Sequence, residues 1–288
     1  MTNGSWRFRS ILGGVAVAFI LPSLAVAVSA QGSKLQGIGK ELRVCSRLDD
    51  DLPDARIVSC TAIIESRVAT KRGLAVAYSN RGNAYNAKGE FNRALEDYNE
   101  SIDTDPNYAN AFNNRGAAYQ KMGDHKRAIE DFDRAIRIAS NSGPAFANRA
   151  ESYAKVGDQR RALQDYSAAI RLEPTSSAVW NGRCWVRATI GELRAALTDC
   201  NESLRLKPDA AATLDSRGLT YLKMGQLQTA LADYNAALQL EPRLASSLYG
   251  RGIIKRRTGN ATEGAADIAA ATALAPNIAS DFARYGVR

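Results

Sequence analysis

The sequence predicts an all-α solenoid, and three observations predict it. Glycines Gly89, Gly123, Gly157, Gly191, Gly225 and Gly259 stand 34 residues apart without a slip. Aspartates Asp97, Asp131, Asp165, Asp199, Asp233 and Asp267 keep the same step, as do Ala94, Ala128, Ala162, Ala196 and Ala230 until Gly264 breaks the series. A fixed period in this range marks a repeat array in which each unit packs on its neighbours. The third observation is the content of one period: a small residue, an aromatic, a glycine, Ala-x-x-x-aromatic, then a proline.

In the first unit these positions are Gly82, Tyr85, Gly89, Ala94, Tyr98 and Pro106. The second has Gly116, Tyr119, Gly123, Ala128 and Phe132, with Ser140 in place of proline. The third has Ala150, Tyr153, Gly157, Ala162, Tyr166 and Pro174, and the fifth Gly218, Tyr221, Gly225, Ala230, Tyr234 and Pro242. This pattern resembles the tetratricopeptide repeat, a helix–turn–helix unit. The resemblance implies a right-handed α-solenoid of six repeats over 75–108, 109–142, 143–176, 177–210, 211–244 and 245–278. An N-terminal capping hairpin over 41–74 and a C-terminal capping helix over 279–288 complete it.

Taken in order, residues 1–30 stand apart from the repeats. Arg7 and Arg9 precede an apolar run from Ile11 to Val28, and Val28-Ser29-Ala30 offers small residues, the layout of a secretory signal. Cleavage is expected after Ala30, with Ala27 second. The alternative is a retained anchor, because the run is nearly long enough to span a bilayer, although Gly13-Gly14 and Pro22 interrupt it. Losing Arg7 and Arg9 would lower the net charge from +8 to +6. Residues 31–40 read as a flexible lead. In 41–74, Pro53 and Asp54 suit a helix start, and Ile57, Cys60, Thr61 and Ile64 share a helical face. A deviant terminal unit is expected, since one of its faces lacks a neighbour.

Within the repeats the periodic residues read as packing. Small residues let paired helices approach, the aromatics fill the gap to the next unit, glycines end each first helix in the left-handed conformation, and prolines stop each second helix. The sixth unit decays: Lys255 stands at an aromatic position, Gly264 at the alanine and Ile268 at the second aromatic. Ile278, Phe282 and Tyr285 then recur at helical spacing, as a capping helix over the last repeat requires.

The four cysteines form two local pairs, Cys45 with Cys60 and Cys184 with Cys200. In an exported chain such pairs are expected as disulfides. The resemblance supports the second pair: Cys184 and Cys200 replace the small and the aromatic residue that face each other in a repeat. The first pair would close the leader hairpin, which is similar to that of small exported bacterial proteins of the family.

Catalysis and cofactors are not expected. His125 is the single histidine, so neither a Ser–His–Asp arrangement nor a histidine-rich metal site can be assembled repeatedly. Neither a phosphate loop nor a dinucleotide fingerprint occurs. Arg81, Arg115, Arg149, Arg183, Arg217 and Arg251 recur before the small residue. Six Arg–Asp pairs, Arg81 with Asp97 and so on, are expected across the hairpins. The alternative is a basic stripe reading phosphate, which an equal number of aspartates argues against.

Carrying over the family's groove positions gives Ser79, Asn80 and Asn83 in the first unit, and Asn110, Asn113, Asn114 and Lys121 in the second. Asn148, Glu151 and Lys155 follow in the third, Asn181 and Trp185 in the fourth, Asp215, Leu219 and Lys223 in the fifth, and Tyr249, Ile253, Arg256 and Arg257 in the sixth. Trp185 is the candidate anchor, against a reading as ordinary packing. Asn83 and Asn114 match part of the family's carboxylate clamp, but Ser79, Pro144 and Asn148 replace its basic residues, so the clamp is not expected. The resemblance implies a non-enzymatic interaction scaffold of the bacterial envelope, periplasmic or secreted, that binds a peptide or partner helix. An anionic envelope polymer is the alternative partner, and nucleic acid is not expected. Partner identity and oligomeric state stay open.

Overall fold

The structure is a computed structural model, and it describes residues 39–46, 52–66 and 69–287. The expected signal segment and most of the lead lie outside the described residues. Among the described residues there are fifteen helices and no strand, and no helix is long and apolar enough to cross a membrane. The chain divides into two compact units, which meet in sequence between Gly157 and Asp158.

The N-terminal unit holds α1 (Gly39–Cys45), α2 (Pro53–Glu65), α3 (Lys71–Ala87), α4 (Phe91–Thr104), α5 (Ala109–Lys121), α6 (His125–Ile138) and α7 (Gly143–Lys155). Helix α3 begins ahead of residue 75 because Thr70 caps it, its hydroxyl accepting from the Gly73 N–H at 3.1 Å. Pro53 occupies the first turn of α2, where its missing donor costs nothing. The face that α2 buries is centred on Arg56, Cys60 and Ile63, so Ile57, Thr61 and Ile64 lie at its margins. The Cys45–Cys60 disulfide joins α1 to α2 over a Cα separation of 4.9 Å.

The C-terminal unit holds α8 (Gln159–Leu172), α9 (Ser177–Ile190), α10 (Leu193–Leu206), α11 (Ala211–Lys223), α12 (Leu227–Leu240), α13 (Ala245–Arg257), α14 (Ala261–Leu274) and α15 (Ile278–Arg284). Cys184 and Cys200 are bonded between α9 and α10, with their Cα atoms 5.4 Å apart.

Five hairpin turns repeat one hydrogen-bond pattern. Gly89 has φ +77°, its N–H bonds the Asn86 carbonyl, and the Glu90 N–H reaches back to the Tyr85 carbonyl at 2.9 Å. This is the Schellman arrangement, which satisfies the last carbonyls of the first helix. The same long-reach bond recurs at 2.9 Å from Asp124 to Tyr119, Glu192 to Arg187, Gln226 to Tyr221 and Asn260 to Lys255. At the other end of each hairpin, proline pushes its predecessor out of the helical region. Asp105 has φ −139° and ψ 91° before Pro106. Ala139 takes nearly the same angles, −131° and 85°, before Ser140. The exit therefore does not need proline. Its geometry is also held by the next helix, whose first turn is anchored where the Ser142 N–H bonds the Ala139 carbonyl at 3.2 Å.

The core sits between paired helices. Tyr98, Phe132 and Tyr234 are 0% exposed. A Cβ on Gly82 would lie 2.7 Å from the Tyr98 ring, and one on Gly116 would lie 2.7 Å from the Phe132 ring. Those glycines are the room in which the aromatics fit.

Candidate functional site

The Arg–Asp ladder is the most regular polar feature. Arg81 donates Nε to Asp97 Oδ2 at 2.9 Å and Nη2 to Oδ1 at 2.7 Å. The same two-pronged pairing joins Arg115 to Asp131, Arg183 to Asp199, Arg217 to Asp233 and Arg251 to Asp267 at 2.7–2.9 Å. The sixth expected pair has Arg149 in one unit and Asp165 in the other and stands outside this comparison. The aspartates are buried, between 1% and 8% exposed, so these are interior pairs and not solvated surface contacts.

The third arm of each arginine was missed in the sequence. Nη1 donates to a polar side chain on the second helix of the preceding hairpin: Asn99 from Arg115, Asp133 from Arg149, Ser167 from Arg183, Asn201 from Arg217 and Asn235 from Arg251. Arg81 reaches Thr61 in the leader hairpin. Each guanidinium thus spends its fixed fork of donors on two hairpins. In the fourth and sixth repeats a basic residue at the aromatic position joins the pair: Arg187 donates to Asp199 at 2.7 Å, and Lys255 lies 3.0 Å from Asp267. Burial alone would raise the Asp267 carboxyl, but Arg251 and Lys255 outweigh it and hold the group below its ordinary value. The ladder is occupied internally, which leaves the phosphate-stripe alternative without free donors at these five positions.

The first-helix face differs between the two units. In the N-terminal unit it carries Asn80, Asn83, Asn113, Asn114, Asn148 and Glu151, all half-buried. Four of these amides are already engaged. Asn148 Nδ2 donates to Asn113 Oδ1 at 3.1 Å, and Asn113 donates to Asn114 at 3.5 Å. Asn114 donates to Ser79 Oγ at 3.2 Å, while Asn83 accepts from the Tyr98 hydroxyl at 2.8 Å. The asparagines therefore stitch α3, α5 and α7 together. Burial raises the Glu151 carboxyl, with Lys155 opposing. Of these six residues, Asn80 and Glu151 take no part in that chain of amides.

In the C-terminal unit the same face turns apolar. Trp185, Leu219 and Ile253 occupy the repeat position held earlier by Asn83, Ala117 and Glu151. The Trp185 ring is half-buried, and the Tyr285 ring meets it edge-on with centroids 5.3 Å apart. Tyr249 meets Phe282 at 4.8 Å. The segment that begins with α15 thus covers more than the last repeat, because Phe282 reaches first helix α13 and Tyr285, just past the helix, reaches α9. One apolar cluster holds Leu219, Ile278, Phe282 and Val287, with Trp185, Tyr249, Ile253 and Tyr285 packed against it. Asn181 Oδ1 is buried there without a hydrogen-bond partner. Asp215 is buried and accepts from Ser247 Oγ at 2.6 Å; burial pushes its carboxyl up to about 6, with Ser247 and Ser246 opposing. Lys223 donates to the Ala188 and Thr189 carbonyls at the end of α9.

Among the described residues no group of three or more His, Cys, Asp or Glu side chains could hold a metal ion. His125 opens α6, and burial and Lys155 hold its imidazole below its ordinary value.

Comparison with known proteins follows the same lines. No curated protein matches the sequence. By structure, the chain is similar to YrrB, described as a protein with an unusual peptide-binding site, at 23% identity and TM-score 0.53 over 67% of this chain and 97% of that one. It is similar to a tetratricopeptide repeat protein from Parabacteroides merdae at 18% identity and TM-score 0.65, covering 88% and 99%. It is also similar to PilW, a type IV pilus biogenesis factor, at 18% identity and TM-score 0.63, covering 69% and 93%. At these identities the likeness concerns the fold. The family models are decisive: models described as TPR repeat or tetratricopeptide repeat match residues 82–123 and 218–259, 109–142, and 148–211. With more than half of the chain matched and the hairpins in register, this protein belongs to the tetratricopeptide repeat family.

Proposed function

We propose that this protein is a non-enzymatic protein-interaction scaffold of the bacterial cell envelope, holding an extended peptide or a partner helix against its first-helix faces. The observation that carries the reading is the chemical split of those faces. The polar face suits a peptide backbone, since the Asn80 amide and the Glu151 carboxylate stand outside the internal chain of amides and can meet its donors. The apolar, aromatic face suits an amphipathic segment. The similarity to a repeat protein described by its peptide-binding site supports the same reading. Export is supported by the charged and apolar layout of residues 1–30 and by two disulfides, which persist in oxidising compartments. The reading driven by charge, with an anionic polymer as partner, draws on the +8 net charge, but the ladder arginines spend their donors internally.

The test is photo-crosslinking in cells. A benzophenone amino acid replaces Asn80 on the first-helix face or, as control, the exposed Glu100 on α4. Discrete protein adducts from position 80 and none from position 100 are expected. Equal adducts from both positions, or none from either, would overturn the scaffold reading.

A further inference from the structure

We propose that the first-helix face of the C-terminal unit is a helix-binding site held closed by the chain's own residues 278–287, and that its partner is a short amphipathic segment with Ile, Phe and Tyr at i, i+4 and i+7. The inference rests on the scaffold reading and deepens it. It starts from a mismatch between what a cap needs and what this segment touches. A helix stacked as the next hairpin would contact α13 and α14 and stop there. It would lie three first-helix steps beyond α9, roughly 25–30 Å along the array at about 8–10 Å per step. Tyr285 nevertheless meets Trp185 on α9 at 5.3 Å. The segment therefore crosses the first-helix face.

The segment is built like a ligand. Helix α15 has 7 residues, far below the length at which an isolated helix is stable in water. Its conformation is maintained by docking. Ile278, Phe282 and Val287 are buried, as is Asp281 between them, and Tyr285 packs on Trp185, while Ala279, Ser280, Ala283 and Arg284 are exposed. One apolar stripe down a short helix, seated among aromatic and aliphatic anchors, is the helix-in-groove mode of recognition. The receiving face has specialised to match: the column that is Asn83, Ala117 and Glu151 in the other unit is Trp185, Leu219 and Ile253 here, three large apolar side chains. The tether is Ala275-Pro276-Asn277, where Ala275 is extended, so the segment is attached at one end and can leave without unfolding α14. A tethered segment competes at an effective concentration of about millimolar. A partner must displace it, and the site's apparent affinity is reduced by the closed fraction.

The experiment uses the full chain and a fluorescent synthetic peptide of residues 276–288 as probe. Wild type is compared with the double variant Phe282→Ala/Tyr285→Ala, whose folding is checked by circular dichroism. The variant is expected to bind the peptide about 10–100-fold more tightly than wild type, the gain from removing a tethered competitor. A folded variant that binds no better than wild type would overturn the proposal and leave the segment a cap. A second measurement covers a variant that does not fold. Excess peptide should accelerate tryptic cleavage after Arg284 in wild type, and an unchanged cleavage rate would overturn the proposal. A wild-type dimer lost in the variant would place the segment in a second copy's groove and overturn closure within one chain. Crosslinks from position 80 test the scaffold reading independently, so either idea can fail without the other.

Discussion

Arg217→Ala is the most informative single change. It removes both prongs to Asp233, at 2.7 and 2.8 Å, and the third arm to Asn201. Asp233 is only 6% exposed, so its carboxylate would be left in the interior without a counter-charge. Breaking a buried pair in this way costs about 3–5 kcal/mol, whereas an exposed pair is worth about 0–1 kcal/mol. Replacing both partners, as Arg217→Met with Asp233→Leu, should recover most of the loss, because an apolar pair of similar volume costs no desolvation. Urea unfolding of the full chain measures the total. A repeat array can lose cooperativity when one interface weakens, so hydrogen exchange in α11 and α12 is read alongside. A loss under about 1 kcal/mol for Arg217→Ala would show that the ladder is a surface decoration and that the argument from burial is wrong.

Other consequences are open to simpler measurements. Gly82→Val should lower the melting temperature through a clash with Tyr98, whose ring would lie 2.7 Å from the new Cβ, costing about 1–3 kcal/mol. Reducing Cys184–Cys200, which closes a separation of 16 residues, should cost about 3 kcal/mol in the loop-entropy view, visible as a lower urea midpoint. Asp215 predicts an inverted pH dependence. Its folded carboxyl is raised from 3.8 to about 6, so the folded state holds the proton more tightly than the unfolded chain. Its contribution then falls as pH rises between those values, by at most about 3 kcal/mol, and is constant above. Comparing wild type with Asp215→Asn from pH 4 to 7 should isolate that slope; identical slopes would rule it out.

Much of the fold was legible because it is local. A glycine that must take positive φ, a proline that bars a helix and a small residue facing an aromatic act within one hairpin, and the 34-residue step repeats them. The Arg–Asp pairing was legible for the same reason, since both partners belong to one unit. The third arm was less so, because it depends on the contact between hairpins. A signal existed: polar residues Asn99, Asp133, Ser167, Asn201 and Asn235 keep the period. The mutual contacts of the groove asparagines were not legible, because they arise only when first helices lie side by side. The spacing of Ile278, Phe282 and Tyr285 announced an amphipathic helix, but no local rule says where a tethered segment lands. The change from Asn83, Ala117 and Glu151 to Trp185, Leu219 and Ile253 was the available hint.

The three-armed arginines bear on how such a chain can change length. Each of Arg115, Arg183, Arg217 and Arg251 finds one partner 16 residues ahead and another 16 behind. Excising or duplicating any run of 34 residues inside the array leaves both offsets intact and only changes which repeat supplies the partner. Arg251, deprived of Asn235, would inherit Asn201, and Arg217 would inherit Ser167. No guanidinium is orphaned at the splice, and no carboxylate is stranded in the interior. Gain or loss of a hairpin is thus electrostatically silent, and the size of the array is free to drift while its ends stay put.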